Sequence, residues 1–261
     1  MPVSHDTLAR RLRDAYRTGP VPPLRDGLDA TDLNGAYAVQ ATNTRIWVEE
    51  GRRIVGRKIG LTARAVQAQL GVDRPDFGVL FDDMAVDDGG VFATSALQPK
   101  VEAEVALVMA RDLEDPRATV QQVTAAAAYA VPAIEIVDSR IADWKITFAD
   151  TVADNASAGA FVLGTEPKLL SGLDLKTCGM VLEVNGAIAS IGAGAACLGH
   201  PLHAAVWLAR TLAERGEPLR AGDVVLTGAL GPMVAIAPGM VVRASIGGLG
   251  SCGFVYGGDR K

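Results

Sequence analysis

The sequence predicts an α+β protein whose body is a curved, mixed β-sheet and whose N-terminal region is small and helical. Short apolar runs bounded by turn residues predominate after residue 160, and the chain carries 29 glycines and 13 prolines. The beginning of the chain instead shows helical periodicity and helix-capping residues. We therefore expect a helical N-terminal region at 1–52 and a β-rich body, carrying the functional site, at 53–261.

Individual elements follow from the period of the apolar residues and from the residues that flank them. The expected helices span 6–17, 32–50, 63–70, 119–130 and 200–215. The expected strands span 53–61, 79–84, 91–94, 101–109, 133–138, 161–164, 179–184, 224–227, 233–237, 240–246 and 252–256. Thr31 or Asp32 is expected to cap the second helix.

Turn and capping residues define three further boundaries. Thr62 is expected to cap the third helix and Gly71 to end it. Pro132 is expected to end the alanine-rich helix, because proline cannot continue a helical hydrogen-bond ladder. Asp76 falls in a turn-rich loop predicted at 72–78.

Charge and composition exclude several classes of partner. The formal net charge is −5, and no cluster of lysine and arginine with interleaved aromatic residues is present. Nucleic acid and anionic membranes are therefore not expected as partners. The longest apolar stretch, 224–242, is broken by glycine and proline, and the N-terminus lacks the apolar core of a signal peptide. These features predict a cytoplasmic protein.

The three cysteines, Cys178, Cys197 and Cys252, are odd in number and far apart. Their spacing supports neither a zinc ribbon nor a disulfide framework. We expect buried, reduced thiols, as is usual in the cytosol.

Three glutamates on two predicted strands are the strongest functional signal. Glu102 and Glu104 lie two residues apart in the apolar run 99–109, so they point to the same face of a strand, and Glu135 lies in a second apolar run, 131–140. Such carboxylates are costly in apolar surroundings unless a cation neutralises them. Three oxygen ligands suit Mg²⁺ or Mn²⁺. The alternative is a set of solvated carboxylates on the outer face of an edge strand.

A lysine and an aspartate upstream of the glutamates are candidate acid/base residues. Lys58 lies in the apolar segment 53–61, where an ammonium group can bind a substrate carboxylate or transfer a proton. A lysine on the surface of a strand is the ordinary alternative. Asp76 follows Pro75, and by itself this aspartate indicates only a turn.

A polar stretch at 150–159 precedes an apolar strand, and it has two interpretations. It is either a capped loop or a cluster of hydroxyl and amide groups that orients an anionic substrate. Its polar members are Asp150, Asp154, Asn155 and Ser157.

Two other patterns are not expected to carry function. The segment 248–253 matches the G-x-G-x-x-G pattern of dinucleotide-binding sites. Only eight residues follow it, which is too few for the required helix and strand. His200 and His203 lie near a predicted helix start without a third ligand, so a helix-start role is expected rather than a zinc site.

Several long segments together resemble the 2-oxopent-4-enoate (2-hydroxypenta-2,4-dienoate) hydratases of the fumarylacetoacetate hydrolase superfamily. The resemblance runs from about residue 30 onward and is carried by 56–84, the E-A-E strand, 133–146, 153–157 and 224–239. It implies a fumarylacetoacetate hydrolase C-terminal-like β-roll. It also implies Glu102, Glu104 and Glu135 as metal ligands, Lys58 and Asp76 as acid/base residues, and Ser157 and Leu80 as substrate contacts.

The activity implied by this resemblance is the Mg²⁺- or Mn²⁺-dependent hydration of 2-hydroxypenta-2,4-dienoate to 4-hydroxy-2-oxopentanoate, in the meta-cleavage catabolism of aromatic compounds. It also implies a homo-oligomer and an association with a decarboxylase or aldolase of the same pathway. Two alternatives stay open: a decarboxylase acting on 4-oxalocrotonate (2-oxohex-3-enedioate), and a hydratase-like subunit that supports such a decarboxylase. A histidine-dependent C–C hydrolase is disfavoured, because the three histidines lie outside these segments.

Overall fold

Two β-sheets and a set of flanking helices build the structure, a computed structural model that describes residues 3–258. The helices are α1 (His5–Thr18), α2 (Leu33–Glu49), α3 (Arg64–Leu70), α4 (Val120–Ala126), α5 (Phe148–Ala153) and α6 (Pro201–Glu214). The strands are β1 (Ile54–Gly60), β2 (Asp76–Phe81), β3 (Ala85–Val86), β4 (Val91–Phe92), β5 (Pro99–Met109), β6 (Ala127–Asp138), β7 (Ala158–Leu163), β8 (Gly179–Val184), β9 (Ala187–Ala193), β10 (Val224–Ala229), β11 (Val234–Ala235), β12 (Val241–Ile246) and β13 (Gly250–Tyr256).

The larger sheet has the strand order β2-β1-β10-β5-β6-β7-β3, and β11 pairs with β5 beside this path. It is mixed, because β1 pairs parallel to β10 but antiparallel to β2, while β5 pairs antiparallel to both β10 and β6. The smaller sheet has the order β4-β13-β12-β8-β9. The predicted α+β class, with a mixed sheet body and helices at the N-terminus, is confirmed.

The N-terminal helices form as expected and pack onto the body. Ser4 accepts a hydrogen bond from the N–H of Thr7 at the start of α1, and Asp32 accepts one from Gly35 at the start of α2. Their apolar faces bury Leu8, Leu12 and Val39 in one cluster together with residues of α5. The helical region therefore shares part of its core with the body, and the division at residue 52 stays a prediction.

The alanine-rich run differs from the prediction. Helix α4 ends at Ala126, and the chain continues as β6 through Pro132, which pairs with Val105 of β5. Alanine favours helices by less than 1 kcal/mol per residue over most others. The pairing of β6 with both β5 and β7 outweighs that preference.

Two further expectations at the start of the body need correction, and a third is confirmed. Asp76 is the first residue of strand β2 and not part of a loop, because it pairs with Gly60 of β1. The N-cap position of α3 is Ala63, and Thr62 is instead buried. Gly71 does end α3, with the left-handed φ of 67° that glycine adopts easily. The capped helix α5 and the strand β9 were not anticipated.

Two expectations about ordinary structural roles are confirmed. Cys178, Cys197 and Cys252 are free and buried. His200 accepts a hydrogen bond from the N–H of Leu202 and so caps α6. The segment 248–253 forms the β12–β13 turn and the first part of β13. Within residues 3–258, no helix has both the length and the apolar character needed to cross a membrane.

Candidate active site

Strands β5 and β6 bring the three glutamates together. Glu102 is the direct cross-strand partner of Glu135, and Glu104 lies on the same face of β5 two residues further along. One carboxylate oxygen from each lies within 4.8 Å of the others. Glu104 and Glu135 are 0% exposed, and β5 is an interior strand of its sheet. The alternative of solvated carboxylates on an edge strand is therefore wrong.

The glutamate oxygens are poorly satisfied by protein groups. The N–H of Gly228 donates to Glu104 Oε2 over 2.7 Å, but Glu104 Oε1 and Glu135 Oε2 lack a hydrogen-bond partner within residues 3–258, and Glu135 Oε1 has the Lys58 ammonium as an ion-pair partner at 3.1 Å. Buried carboxylates in this state are costly. The donor set of three converging carboxylates fits a hard divalent cation such as Mg²⁺ or Mn²⁺.

Burial also perturbs the protonation of the three glutamates. Burial, followed by repulsion from Glu135, raises the pKa of Glu102 to about 7. Burial and the two neighbouring glutamates raise the pKa of Glu104 well above its ordinary value, and burial raises that of Glu135 despite the nearby Lys58. Without a cation, these groups therefore retain protons to a higher pH than glutamates in water.

Lys58 and Asp76 meet beside the glutamates, above the Cα atom of Gly60. Lys58 Nζ lies 3.1 Å from Glu135 Oε1 and donates to the carbonyl of Ala156 over 3.0 Å. A Cβ atom at Gly60 would lie 2.2 Å from Asp76 Oδ1 and 3.3 Å from Lys58 Nζ. Glycine at this position therefore leaves the space in which the ammonium and the carboxylate converge.

These two groups have different protonation behaviour. Burial raises the pKa of Asp76 to about 6, although the charge of Lys58 opposes the shift. Burial alone would lower the pKa of Lys58, but Glu135 and Asp76 outweigh burial and raise it above the ordinary value. Lys58 is therefore held as an ammonium group, while Asp76 is a carboxyl group that can exchange a proton near neutral pH.

These side chains border a cavity of about 450 Å³. Lys58, Asp76, Glu102 and Ser157 form its polar end. Its apolar wall includes Leu61, Val66, Trp144, Ile146 and Met233. The combination of an apolar wall and a few convergent polar groups is typical of a small-molecule site.

Leu80 is not among the described residues that line this cavity, and the expectation that it contacts substrate stays a prediction. It is 1% exposed and packs in a separate apolar cluster that includes Val131 and Leu226. Along β2 it lies four residues beyond Asp76, a distance of about 13 Å in an extended strand.

The polar stretch at 150–159 is mostly structural. Asp150 forms a capping box with Thr147 at the start of α5, and Asp154 pairs with the buried Arg140. Ser157 does line the cavity, and its hydroxyl donates to Asp154 over 3.2 Å. Asn155 hydrogen-bonds the backbone of β2.

Sequence reasoning missed the apolar wall and the backbone geometry around it. Leu61, Trp144, Ala156 and Ser157 line the cavity with left-handed φ values between 50° and 55°. Such values are uncommon in residues other than glycine and are frequent at functional sites. Trp144 lay within a segment that carries the family resemblance, but no local pattern shows that its ring borders a cavity.

Comparison with known proteins identifies the family. Residues 54–254 match the family model described as fumarylacetoacetate (FAA) hydrolase C-terminal. The chain belongs to the fumarylacetoacetate hydrolase family. The resemblance stated from the sequence motifs is thereby confirmed.

Two relatives that match this chain over nearly its full length are hydratases. The chain is 56% identical to 2-keto-4-pentenoate hydratase 1 of Dechloromonas aromatica (strain RCB), and the match covers 97% of each chain. It is 54% identical to the 2-keto-4-pentenoate hydratase of Paraburkholderia xenovorans (strain LB400), over 96% of this chain and 94% of that protein. 2-Keto-4-pentenoate is another name for 2-oxopent-4-enoate.

A similar solved structure is a decarboxylase. The 4-oxalocrotonate decarboxylase from Pseudomonas putida G7, complexed with magnesium and adipate, superposes with a TM-score of 0.90 at 37% identity, covering 97% of both chains. The similarity over the whole length confirms the predicted fold, including the N-terminal helices.

Proposed function

We propose that this protein is a divalent-metal-dependent hydratase that converts 2-hydroxypenta-2,4-dienoate and water to 4-hydroxy-2-oxopentanoate. The observation that carries the proposal is the convergence of three glutamates with Lys58 and Asp76 at the polar end of one largely apolar cavity. Full-length similarity to 2-keto-4-pentenoate hydratases supports the same reaction.

The glutamates would hold the metal, Asp76 would transfer protons, and Lys58 would act beside it as an ammonium group. Glu102, Glu104 and Glu135 are the proposed ligands of Mg²⁺ or Mn²⁺. When bound, the cation would supply Lewis-acid stabilisation of the charge that develops on the C2 oxygen of the substrate. Ser157 is proposed to contact the substrate, since its hydroxyl borders the cavity beside Lys58.

The proposed reaction consists of two proton transfers around the addition of one water molecule. A proton delivered to C5, with loss of the proton on the C2 hydroxyl, converts the dienol to an α,β-unsaturated 2-oxo acid. Water then forms a bond to C4, and a proton is added at C3. Asp76, with a pKa of about 6, can accept the proton of the attacking water and then deliver a proton to C3. The ammonium of Lys58 stabilises anionic oxygen atoms within the cavity.

The apolar wall favours the hydratase over the decarboxylase. The 4-oxalocrotonate molecule carries a second carboxylate at the end opposite its 2-oxo acid group, and this carboxylate requires a cationic or hydrogen-bonding partner. Among the described residues that line the cavity, Lys58 is the single cation, and it lies at the glutamate end. Lys100 is not among the residues that line the cavity, and its Nζ instead lies 4.3 Å from the centroid of the Trp144 ring.

Decarboxylation is the second candidate function, favoured by the similarity to the solved decarboxylase. Proton NMR of 2-hydroxypenta-2,4-dienoate with the purified chain, with Mg²⁺ or with a chelator, separates the two. Mg²⁺-dependent appearance of 4-hydroxy-2-oxopentanoate supports the hydratase. Slow tautomerisation at equal rates in both samples, together with release of CO₂ from 4-oxalocrotonate, overturns it in favour of the decarboxylase.

The proposal includes a cellular setting for this activity. We place the enzyme in the cytoplasm, in the meta-cleavage catabolism of aromatic compounds, as a homo-oligomer that can associate with a decarboxylase or aldolase of the pathway. Gel filtration with light scattering tests the oligomer. Co-purification with a decarboxylase, combined with no turnover by the isolated chain, would instead indicate a supporting subunit.

A further inference from the structure

A strained turn beside Lys58 has no role in the proposed reaction as described so far, apart from the substrate contact of its last residue, Ser157. Asn155, Ala156 and Ser157 have φ values of 55°, 50° and 54°, although none of them is glycine. Three consecutive left-handed residues are unfavourable for L-amino acids. The turn therefore persists only because contacts around it hold it in place.

Asn155 attaches this turn to strand β2. Its Oδ1 accepts a hydrogen bond from the N–H of Val79 over 2.7 Å, and its Nδ2 donates to the carbonyl of Val79 over 2.9 Å. The backbone of the turn also lies directly on Gly78, where a Cβ atom would come within 2.3 Å of the Asn155 carbonyl oxygen. The side chain of Asn155 thus replaces a neighbouring strand at this point of the sheet.

Arg140 holds both ends of the turn from the opposite side. This arginine is 1% exposed, and its Nε donates to Asp154 Oδ1 over 2.6 Å. Its Nη1 donates to the carbonyl of Ala158 over 3.0 Å. Asp154 precedes the turn and Ala158 follows it, so one buried guanidinium group fixes its two ends.

Besides the Ser157 hydroxyl, the turn presents a backbone carbonyl to the active site. The carbonyl of Ala156 accepts a hydrogen bond from Lys58 Nζ over 3.0 Å. The other close partner of this ammonium group is Glu135, at 3.1 Å. Without the carbonyl, attraction to the glutamates would draw the ammonium toward the metal ligands and away from Asp76.

We propose that Asn155 is a positioning residue for Lys58. By clamping the left-handed turn to Val79, it holds the Ala156 carbonyl at the place where it directs the ammonium group into the cavity. This inference rests on the proposed hydratase function only for its kinetic test. The structural part, that the Asn155 side chain determines the position of Lys58 Nζ, stands independently of the reaction.

The first test replaces Asn155 by glycine, because glycine adopts the left-handed conformation without the side-chain clamp. For N155G we expect kcat to fall on the order of 10²-fold, as for misplaced catalytic groups in general, while KM and Mg²⁺ affinity stay near wild type. N185G is the matched control. Asn185 is also left-handed, with φ 52°, and its Oδ1 accepts from the N–H of Val241, but it lies in the turn between β8 and β9.

A double-mutant cycle with K58A separates positioning from a general structural effect. If Asn155 acts through Lys58, N155G causes no further loss of kcat in the K58A background. Equal losses in both backgrounds would overturn the proposal, as would wild-type kcat in N155G. G78A provides a second variant should N155G not fold, because its Cβ pushes the turn without changing Asn155, and the same kcat loss is expected.

The crystal structure of N155G tests the proposal without any activity. Movement of Lys58 Nζ away from the Ala156 carbonyl is expected, and an unchanged distance of 3.0 Å would overturn the inference. Absence of turnover in the wild-type chain would instead contradict the hydratase function alone. The two failures are therefore distinguishable.

Discussion

At the scale of single residues, charge balance explains the composition of the site. Glu102, Glu104, Glu135 and Asp76 converge where Lys58 is the single cation among the described residues that line the cavity. One ammonium group cannot neutralise four carboxylates, and burial makes the imbalance more costly. A divalent cation is the simplest group that removes most of this imbalance.

Replacing Glu104 by glutamine should remove metal binding with little change in shape. Glu104 is fully buried and its Oε1 has no protein partner within residues 3–258, so this oxygen is available to bind a metal ion. We expect E104Q to lose more activity than the roughly 10- to 100-fold typical of residues that only support a ligand. Calorimetric titration with Mg²⁺ measures the loss of affinity. E183Q, in strand β8 of the smaller sheet, is the control, and equal Mg²⁺ affinity in E104Q and wild type would contradict the assignment.

Replacing Gly60 by alanine should separate catalysis from metal binding. The added Cβ would lie 2.2 Å from Asp76 Oδ1, so the carboxylate must move. We expect kcat to fall by roughly 10²- to 10⁴-fold, the range of general acid–base catalysis, with Mg²⁺ affinity retained. G179A is the matched control, because a Cβ atom on Gly179 of β8 would meet no atom within 4 Å. Wild-type kcat in G60A would exclude the Lys58–Asp76 pair from the chemistry.

At the scale of elements, helix α2 supports the strand that carries Asp76. Tyr37 of α2 stacks on Phe77 of β2 with ring centroids 4.7 Å apart. Gln40 Nε2 donates to the carbonyls of Phe77 and Val152, over 3.0 and 2.9 Å. One buried amide therefore joins α2 to both β2 and α5, beside the active site.

Gln40→Leu should destabilise this junction. The substitution keeps the volume of the side chain but removes the amide donor from two buried carbonyls, which costs about 1–3 kcal/mol. Chemical denaturation followed by circular dichroism measures the free energy of unfolding. Q121L, at an exposed position of α4, should leave this free energy within about 0.5 kcal/mol of wild type. Equal stability of Q40L and Q121L would show that the junction contributes nothing.

At the scale of the whole molecule, the fold buries carboxylates whose electrostatic cost is lowered by metal binding. The glutamates lie on two interior strands of the larger sheet, so the sheet cannot expose them without losing its pairing. Folding and metal binding are consequently coupled.

Without metal, stability should decrease as the pH rises. Burial and then Glu135 raise the pKa of Glu102 from 4.5 to about 7, so between these pH values the folded chain retains a proton that the unfolded chain has lost. The free energy of unfolding of the chelated protein should therefore fall across this window, by roughly 1–3 kcal/mol from Glu102 alone. Thermal denaturation in chelator between pH 4.5 and 8 measures it.

Saturating Mg²⁺ should offset this loss of stability. A cation present at 100 times its dissociation constant adds about 2.7 kcal/mol to the free energy of unfolding. E102Q should show a shallower pH dependence in chelator than wild type, because one of the perturbed carboxyl groups is gone. An increase in the stability of the chelated wild-type protein over the same pH window would contradict the coupling.

The sequence by itself determined the features that depend on local pattern and on family resemblance. The i, i+2 spacing of Glu102 and Glu104 placed them on one face, and the caps of α2 and α6 follow from the types of their residues. The long motifs identified the family and the fold, since they extend over most of the chain.

Only the tertiary structure decided which residues meet across the sequence. Asp76 joined a strand, and the chain after Ala126 became β6 rather than helix, because pairing with distant strands outweighs local preference. The apolar wall at Trp144 and Met233, and the clamp of Asn155 on Val79, depend on contacts between segments far apart in the chain. Local patterns do not encode such contacts, since strand register is set by the packing of the whole sheet.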